Sequence, residues 1–186
     1  MALYSGDGDA GFTRLPGEGG APIRKDDARC VALGTVDELN AAIGLCLAEA
    51  RRADHTLISQ ALSSMQDELL AVGAVLAAVC AGREPPVRLD PSAAGRMEKG
   101  IDQICEELPE LTHFILPGGC ELASRLHLAR TIACRAERAV AGVLAASSGD
   151  DSATILKYMN RISDLLFALA RLANHDAGEG DVIWQP

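Results

Sequence analysis

The sequence predicts an all-α protein, a five-helix bundle preceded by a glycine-rich N-terminal loop. Three observations predict it. Apolar residues fill 48% of the 186 positions while aromatics fill only 3%, and Ala and Leu, which favour helix over strand, supply most of the apolar set. Five stretches carry their apolar residues at helical spacing. The links between them are short, as antiparallel helices of one bundle require. A chain of this length suits one domain and buries roughly 70% of its unfolded surface.

The first 23 residues stand apart. Gly6, Gly8, Gly11, Gly17, Gly19 and Gly20, with Pro16 and Pro22, leave no period, so this segment reads as a loop. A first helix spans Asp26 to Arg51, with Val31, Leu39, Ile43 and Leu47 on one face. Within it Thr35, with Glu38 three residues on, reads as a capping box for an internal N-terminus. A second helix runs from His55 to Val79 on the stripe Leu57, Ile58, Leu62, Met65, Leu69, Val72 and Leu76. Gly82, Pro85 and Pro86 break it. The third begins at Asp90, a cap, with Pro91 at the first helical position. It carries Met97, Ile101, Ile104 and Leu108 and ends before Pro109. Residues 109–119, PELTHFILPGG, form a connector with an apolar centre. A fourth helix covers Cys120 to Ala146 and a fifth Ser152 to Asn174, split by SSGDD. The division is then a loop at 1–23, a helical bundle at 24–175 and a loose tail at 176–186.

Composition excludes several functions. The net charge is −9, from 17 Lys+Arg against 26 Asp+Glu, which argues against a nucleic-acid partner. Cys30, Cys46, Cys80, Cys105, Cys120 and Cys134 have no zinc-knuckle or CxxC spacing, so they read as small buried hydrophobes of a reduced, cytoplasmic protein. No uninterrupted apolar run reaches the ~18–20 residues of a membrane span, so no membrane partner is expected.

Gly6, Gly8 and Gly11 match G-x-G-x-x-G letter by letter, but no strand precedes them and no helix follows, so the dinucleotide reading fails. Asp7, Asp9 and Glu18 echo a calcium loop, and Phe12 sits where its obligatory glycine belongs. Two readings survive: a disordered tail, or a backbone whose N–H groups face phosphate, which the two aspartates make dependent on a divalent cation or nearby Lys and Arg. The fourth helix concentrates Arg125, Arg130, Arg135 and Arg138. Arg130, Cys134, Glu137 and Arg138 share one side, and Leu122, Leu126, Ala129, Ala133, Ala136 and Val140 share another. Such a row is either a set of forks for phosphate or a solvated, locally paired face. Asp37, Glu38, Asn160, Arg161 and Asp164 put polar groups inside apolar stripes, where they need partners. Glu110 and His113 form a lone Glu-x-x-His in the connector, and His127 and His175 stand singly, so no protein metal site is proposed.

The segments YSGDGDAGFTRL, RKDDARCVALGTVDELNAAIG, FILPGG, HLARTIACRAER and ILKYMNRISDLLFALARLANH, in this order, resemble the ATP:cob(I)alamin adenosyltransferases of the propanediol-utilisation type over almost the whole chain. The resemblance implies a ferritin-like five-helix bundle, assembled as a homotrimer with active sites between subunits. It implies transfer of the 5′-deoxyadenosyl group of ATP, with Mg²⁺, to reduced cobalamin, giving adenosylcobalamin and triphosphate. It implies an ATP loop of Ser5, Gly6, Asp7, Gly8 and Thr13, with Lys25 on phosphate and Arg135, Glu137, Arg138 and Asn160 completing the nucleotide site. Asp37 and Arg130 correspond to an intersubunit ion pair, and Phe114 to the phenylalanine that displaces cobalamin's lower axial ligand. A cobalamin reductase or an adenosylcobalamin-dependent acceptor enzyme is the implied partner. Two positions depart from the family's pattern. Asp7 stands where Thr or Asn is usual, and Cys134-Arg135 stands where two arginines are usual. The rival reading is a non-catalytic helical trimer that binds or hands on cobalamin.

Overall fold

The computed structural model describes residues 6–15, 21–145, 147 and 149–185. Five helices dominate: α1 (Ala28–Arg52), α2 (Thr56–Cys80), α3 (Ala93–Glu107), α4 (Glu121–Leu144) and α5 (Asp150–Asp176). They are preceded by a two-stranded antiparallel sheet, β1 (Phe12–Thr13) with β2 (Ile23–Arg24), in which Phe12 faces Arg24 and Thr13 faces Ile23. All of the sheet but Arg24 lies inside the stretch expected to be a loop, and it went unforeseen because two-residue strands are too short to show a period.

Asp27 starts α1, its carboxylate accepting the Arg29 N–H at 2.9 Å, as an N-cap side chain does. Thr35 is not a cap. It lies mid-helix and donates its hydroxyl to the Ala32 carbonyl at 2.9 Å, the local bond that a helical threonine makes when its own N–H is already in the helix. The turn into α2 is short, and Asp54 takes φ 54° there. The start of α3 also shifts. Asp90 receives the Ser92 N–H at 2.9 Å, so Pro91 lies in a turn before the helix rather than at its first position.

The core sits where the apolar stripes meet. Leu39, Ile43, Ile58, Leu62, Met65, Leu69, Leu126, Ile155 and Met159 are fully buried, each worth roughly 1.5–3 kcal/mol against exposure. Ala123, Ala129, Ala133 and Ala136 on α4 are also fully buried. Their small side chains let α1 and α5 approach α4 closely from either side, while α2 packs on α1 and α3 on α5. Asn40 and Gln66 tie α1 to α2 by reciprocal side-chain-to-carbonyl bonds. Both α1 and α2 contain an 18-residue window long and apolar enough to match a membrane span, which counting uninterrupted apolar runs does not reveal. Their buried faces supply Leu39, Ile43, Leu62 and Leu69 to the core.

The C-terminal tail is not loose. Ile183 bridges Ile115 in antiparallel sense, Leu116 N–H donates to the Val182 carbonyl and Trp184 N–H to the Phe114 carbonyl, both at 2.8 Å. The pairing is β-type and between segments far apart in sequence, so helical periodicity carries no sign of it. Nor are all cysteines buried: Cys46 is, whereas Cys105 is exposed on α3.

Candidate active site

The glycine segment and Lys25 come together. β1–β2 pairing lays Lys25 back on the turn at 6–11, where its N–H donates to the Gly11 carbonyl at 2.9 Å. A Cβ on Gly8 would lie 2.9 Å from the Lys25 Nζ, so glycine at that position leaves room for the ammonium. Gly6 and Gly11 take φ of 78° and 81°, conformations that L side chains avoid. The result is a bare backbone cradle with a cation over it. Gly6, Asp7, Gly8, Thr13 and Lys25 therefore share one small region; Ser5 lies outside the described residues. Thr13 also lines a cavity of about 600 Å³ between β1, α1 and α2, which Asp37 and Asn40 enter from α1.

Helix α4 sorts its arginines by partner. Arg125 is spent on Glu121, one turn earlier, at 2.5 Å. Arg135 reaches across to Glu38 of α1 at 2.5 Å. Arg130 and Arg138 have no carboxylate partner among the described residues. On the α5 side, Asn160 Nδ2 donates to Glu137 Oε1 at 2.9 Å, and Arg161 donates to Asn160 Oδ1 at 2.6 Å. Arg161 is itself held by Glu98 of α3 at 2.9 Å, and that bond first, with Lys157 adding to it, holds the Glu98 carboxyl below its usual range. The amide of Asn160 is thereby oriented from both ends. Of the four residues expected to complete the nucleotide site, Glu137 and Asn160 meet between α4 and α5, Arg135 turns instead to Glu38 of α1, and Arg138 bonds to neither group.

Arg130 opens elsewhere, into a cavity of about 560 Å³ between α3, α4, α5 and the connector, with Leu111, Ser163, Asp164, Phe167 and Arg171. Its Nε is buried without a hydrogen-bond partner. Close by, His127 is 3% exposed, stacks edge-on to Phe167 at 5.9 Å between centroids, and leaves both ring nitrogens unpartnered. Burial first, and then the Arg130 charge, push its imidazole below the ordinary value, which disfavours its charged form. Asp37 and Arg130 thus line different openings of the same chain, and they do not pair within it.

Phe114 is 81% exposed. Leu111, Leu116, Val182, Ile183 and Trp184, from the connector and the tail, are exposed with it, giving an apolar surface beside the Arg130 cavity. Sequence reasoning singled out Phe114 but not what holds it. Arg171 and Asn174, both buried on the last turns of α5, reach the two ends of the connector. The signal was present in principle: two polar residues three apart among Leu165, Leu169, Leu172 and Ala173.

Chemically, this arrangement offers a cation-capped backbone cradle, unspent guanidiniums on α4, and an apolar surface beside the half-buried Arg130. The profile of the family described as Cobalamin adenosyltransferase matches residues 3–173. The chain is 41% identical over 186 residues to a corrinoid adenosyltransferase of Bacillus subtilis, covering 100% of this chain and 93% of that protein. It is 40% identical to the corrinoid adenosyltransferase PduO of Citrobacter freundii, over 98% of this chain and 53% of that one. Among solved structures, a variant PduO-type ATP:corrinoid adenosyltransferase from Lactobacillus reuteri, complexed with cobalamin and ATP, superposes with a TM-score of 0.88 at 32% identity, covering 100% of each chain.

Proposed function

Because the chain belongs to the cobalamin adenosyltransferase family, we propose that it transfers the 5′-deoxyadenosyl group of ATP to the cobalt of reduced cobalamin, releasing triphosphate. The observation that carries this reading is the exposure of Phe114. A phenylalanine 81% open to solvent, its own carbonyl bonded to the tail, has no packing role in the chain and presents an apolar face to a flat apolar ligand. The corrin of cobalamin is such a ligand.

The reaction is an in-line displacement at C5′. The cobalt electron pair forms the Co–C bond as the C5′–O bond breaks, and that bond pair leaves with triphosphate. No proton moves, so the protein's work is alignment and neutralisation of charge. Lys25 and the Gly6–Gly11 backbone take the phosphates, and Arg138 adds a guanidinium that no carboxylate among the described residues occupies. The Gly8 position, which a Cβ would crowd against Lys25, fits a phosphate drawn close to backbone. Asn160 and Glu137, each fixed by the other, order the remaining polar contacts. Mg²⁺ belongs with the nucleotide, held mainly by phosphate oxygens and water. It also offsets the repulsion that Asp7 and Asp9 would exert on bare triphosphate.

The functional unit in this reading is a homotrimer. Asp37 and Arg130 face different openings and lack ion-pair partners among the described residues, so an ion pair between them requires a second copy of the chain. A reducing cytoplasm suits its six free thiols, and a cobalamin reductase and an acceptor enzyme stand on either side of the reaction. The test is anaerobic incubation of the protein with Mg-ATP and chemically reduced cobalamin. Adenosylcobalamin formation is expected, and its absence from folded protein sinks the assignment. Asp37→Asn should weaken assembly in light scattering; a stable, fully active monomer would refute the trimer.

A further inference from the structure

The connector that carries Phe114 is irregular backbone, and its placement is set from α5. Arg171, 7% exposed, donates from Nη2 to the Pro109 carbonyl and from Nε to Asp181 Oδ2, each at 2.7 Å. Asn174, 3% exposed, accepts the Cys120 N–H at 3.0 Å and donates to the Gly118 carbonyl at 3.0 Å. One turn of α5 thus grips the first and last parts of the connector. Between those grips the tail pairs with residues 114–116, and Asp181, the other partner of Arg171, begins that paired stretch.

From this geometry we infer that Arg171, together with Asn174, is a positioning residue for Phe114. The inference rests on the reading that Phe114 faces the cobalt. Burying a guanidinium with its donors unmet is costly, and here its planar fork reaches a carboxylate of the tail and a carbonyl of the connector at once. Lysine, a single point of charge, can keep Asp181 but cannot span both. The two ends of the connector and the tail consequently move as one body with α5, and the phenylalanine ring with them. Side chains that must meet a reacting centre lose rate steeply when displaced.

The chain's single tryptophan, Trp184, reports on this device, since its N–H is bonded to the Phe114 carbonyl. The experiment uses the full chain with Arg171→Lys, Asp181→Asn as a second variant, Phe114→Ala, and the double variant of Arg171→Lys with Phe114→Ala. Arg171→Lys should raise acrylamide quenching of Trp184 while helical content stays at the parental level. Starting from cobalamin one electron more oxidised, with a one-electron chemical reductant supplied in excess, its kcat should fall about tenfold with the KM for ATP unchanged. In the Phe114→Ala background the same substitution should cost nothing further. Asp181→Asn should shift quenching and kcat in the same direction. Parental turnover in Arg171→Lys, or an equal loss with and without Phe114, overturns the positioning role. If Phe114→Ala itself turns over like the parent while quenching still rises in Arg171→Lys, the grip is real but the cobalt-facing reading has failed, and the inference falls with it.

Discussion

Replacing Gly119 by alanine tests how rigidly α5 holds the connector. Gly119 has φ 104°, and a Cβ built there would overlap Asn174 Oδ1. Asn174 cannot swing aside without loss, because that oxygen accepts the Cys120 N–H and its amide donates to the Gly118 carbonyl. The backbone conformation costs a non-glycine residue about 1–3 kcal/mol. The two displaced hydrogen bonds add about 0.5–1.5 kcal/mol each, with more if the groups stay buried and unmet. The sum is about 4 kcal/mol at its centre, which for a chain of this size lowers Tm by roughly 10 °C. Gly118→Ala is the control. It adds the same methyl next door, where nothing lies within 4 Å, and should melt like the parent. Thermal melts followed by circular dichroism measure both. A Gly119→Ala protein melting with Gly118→Ala would refute the argument, since Asn174 would then be free to yield.

Lys25→Ala should raise the KM for ATP and leave helical content unchanged, and Gly8→Ala should move KM the same way by displacing the ammonium; an unaltered KM in both contradicts the cradle. Cys134→Arg adds a guanidinium one turn before Arg138, on a helix whose Arg135 is already taken by Glu38. It should tighten Mg-ATP binding about tenfold, or ~1.4 kcal/mol, in isothermal titration, and unchanged affinity with a parental melt refutes the phosphate-facing assignment. Asp27 sets an acid limb: the Arg29 side chain first, then its backbone N–H, lower the carboxyl from 3.8 to about 2. A depressed carboxyl stabilises the fold above its unfolded value and loses that contribution as pH falls through the folded one. Asp27→Asn, which keeps a capping oxygen, should therefore be less stable than the parent at neutral pH, with the gap in urea melts closing between about pH 4 and pH 2; a gap constant across that range refutes the linkage.

The helices were legible in the sequence because each buries a face, and burial writes itself as spacing. The stripe Leu57 to Leu76 and the alanine row of α4 placed those two helices within a few residues of their observed ends. Gly6, Gly8 and Gly11 were legible as a local glycine-rich pattern, whereas Lys25 entered only through the family resemblance and its place over Gly8 is set by the β1–β2 pairing. What escaped the sequence has no local pattern. Thr35 with Glu38 has the letters of a cap, and only continuous α1 hydrogen bonding decides otherwise. Which arginines of α4 are available depends on Glu38, distant in the chain and adjacent in space. The tail docks through backbone bonds to residues 114–116 and through Asp181 to Arg171, partners that no periodicity announces. Arg171 and Asn174 illustrate the division best. Their sequence context demands only that each buried polar group find a partner; the packing of α5 beneath the connector decides that the partners are Pro109, Asp181, Gly118 and Cys120, because a hydrogen bond is fixed by distance in space and not along the chain.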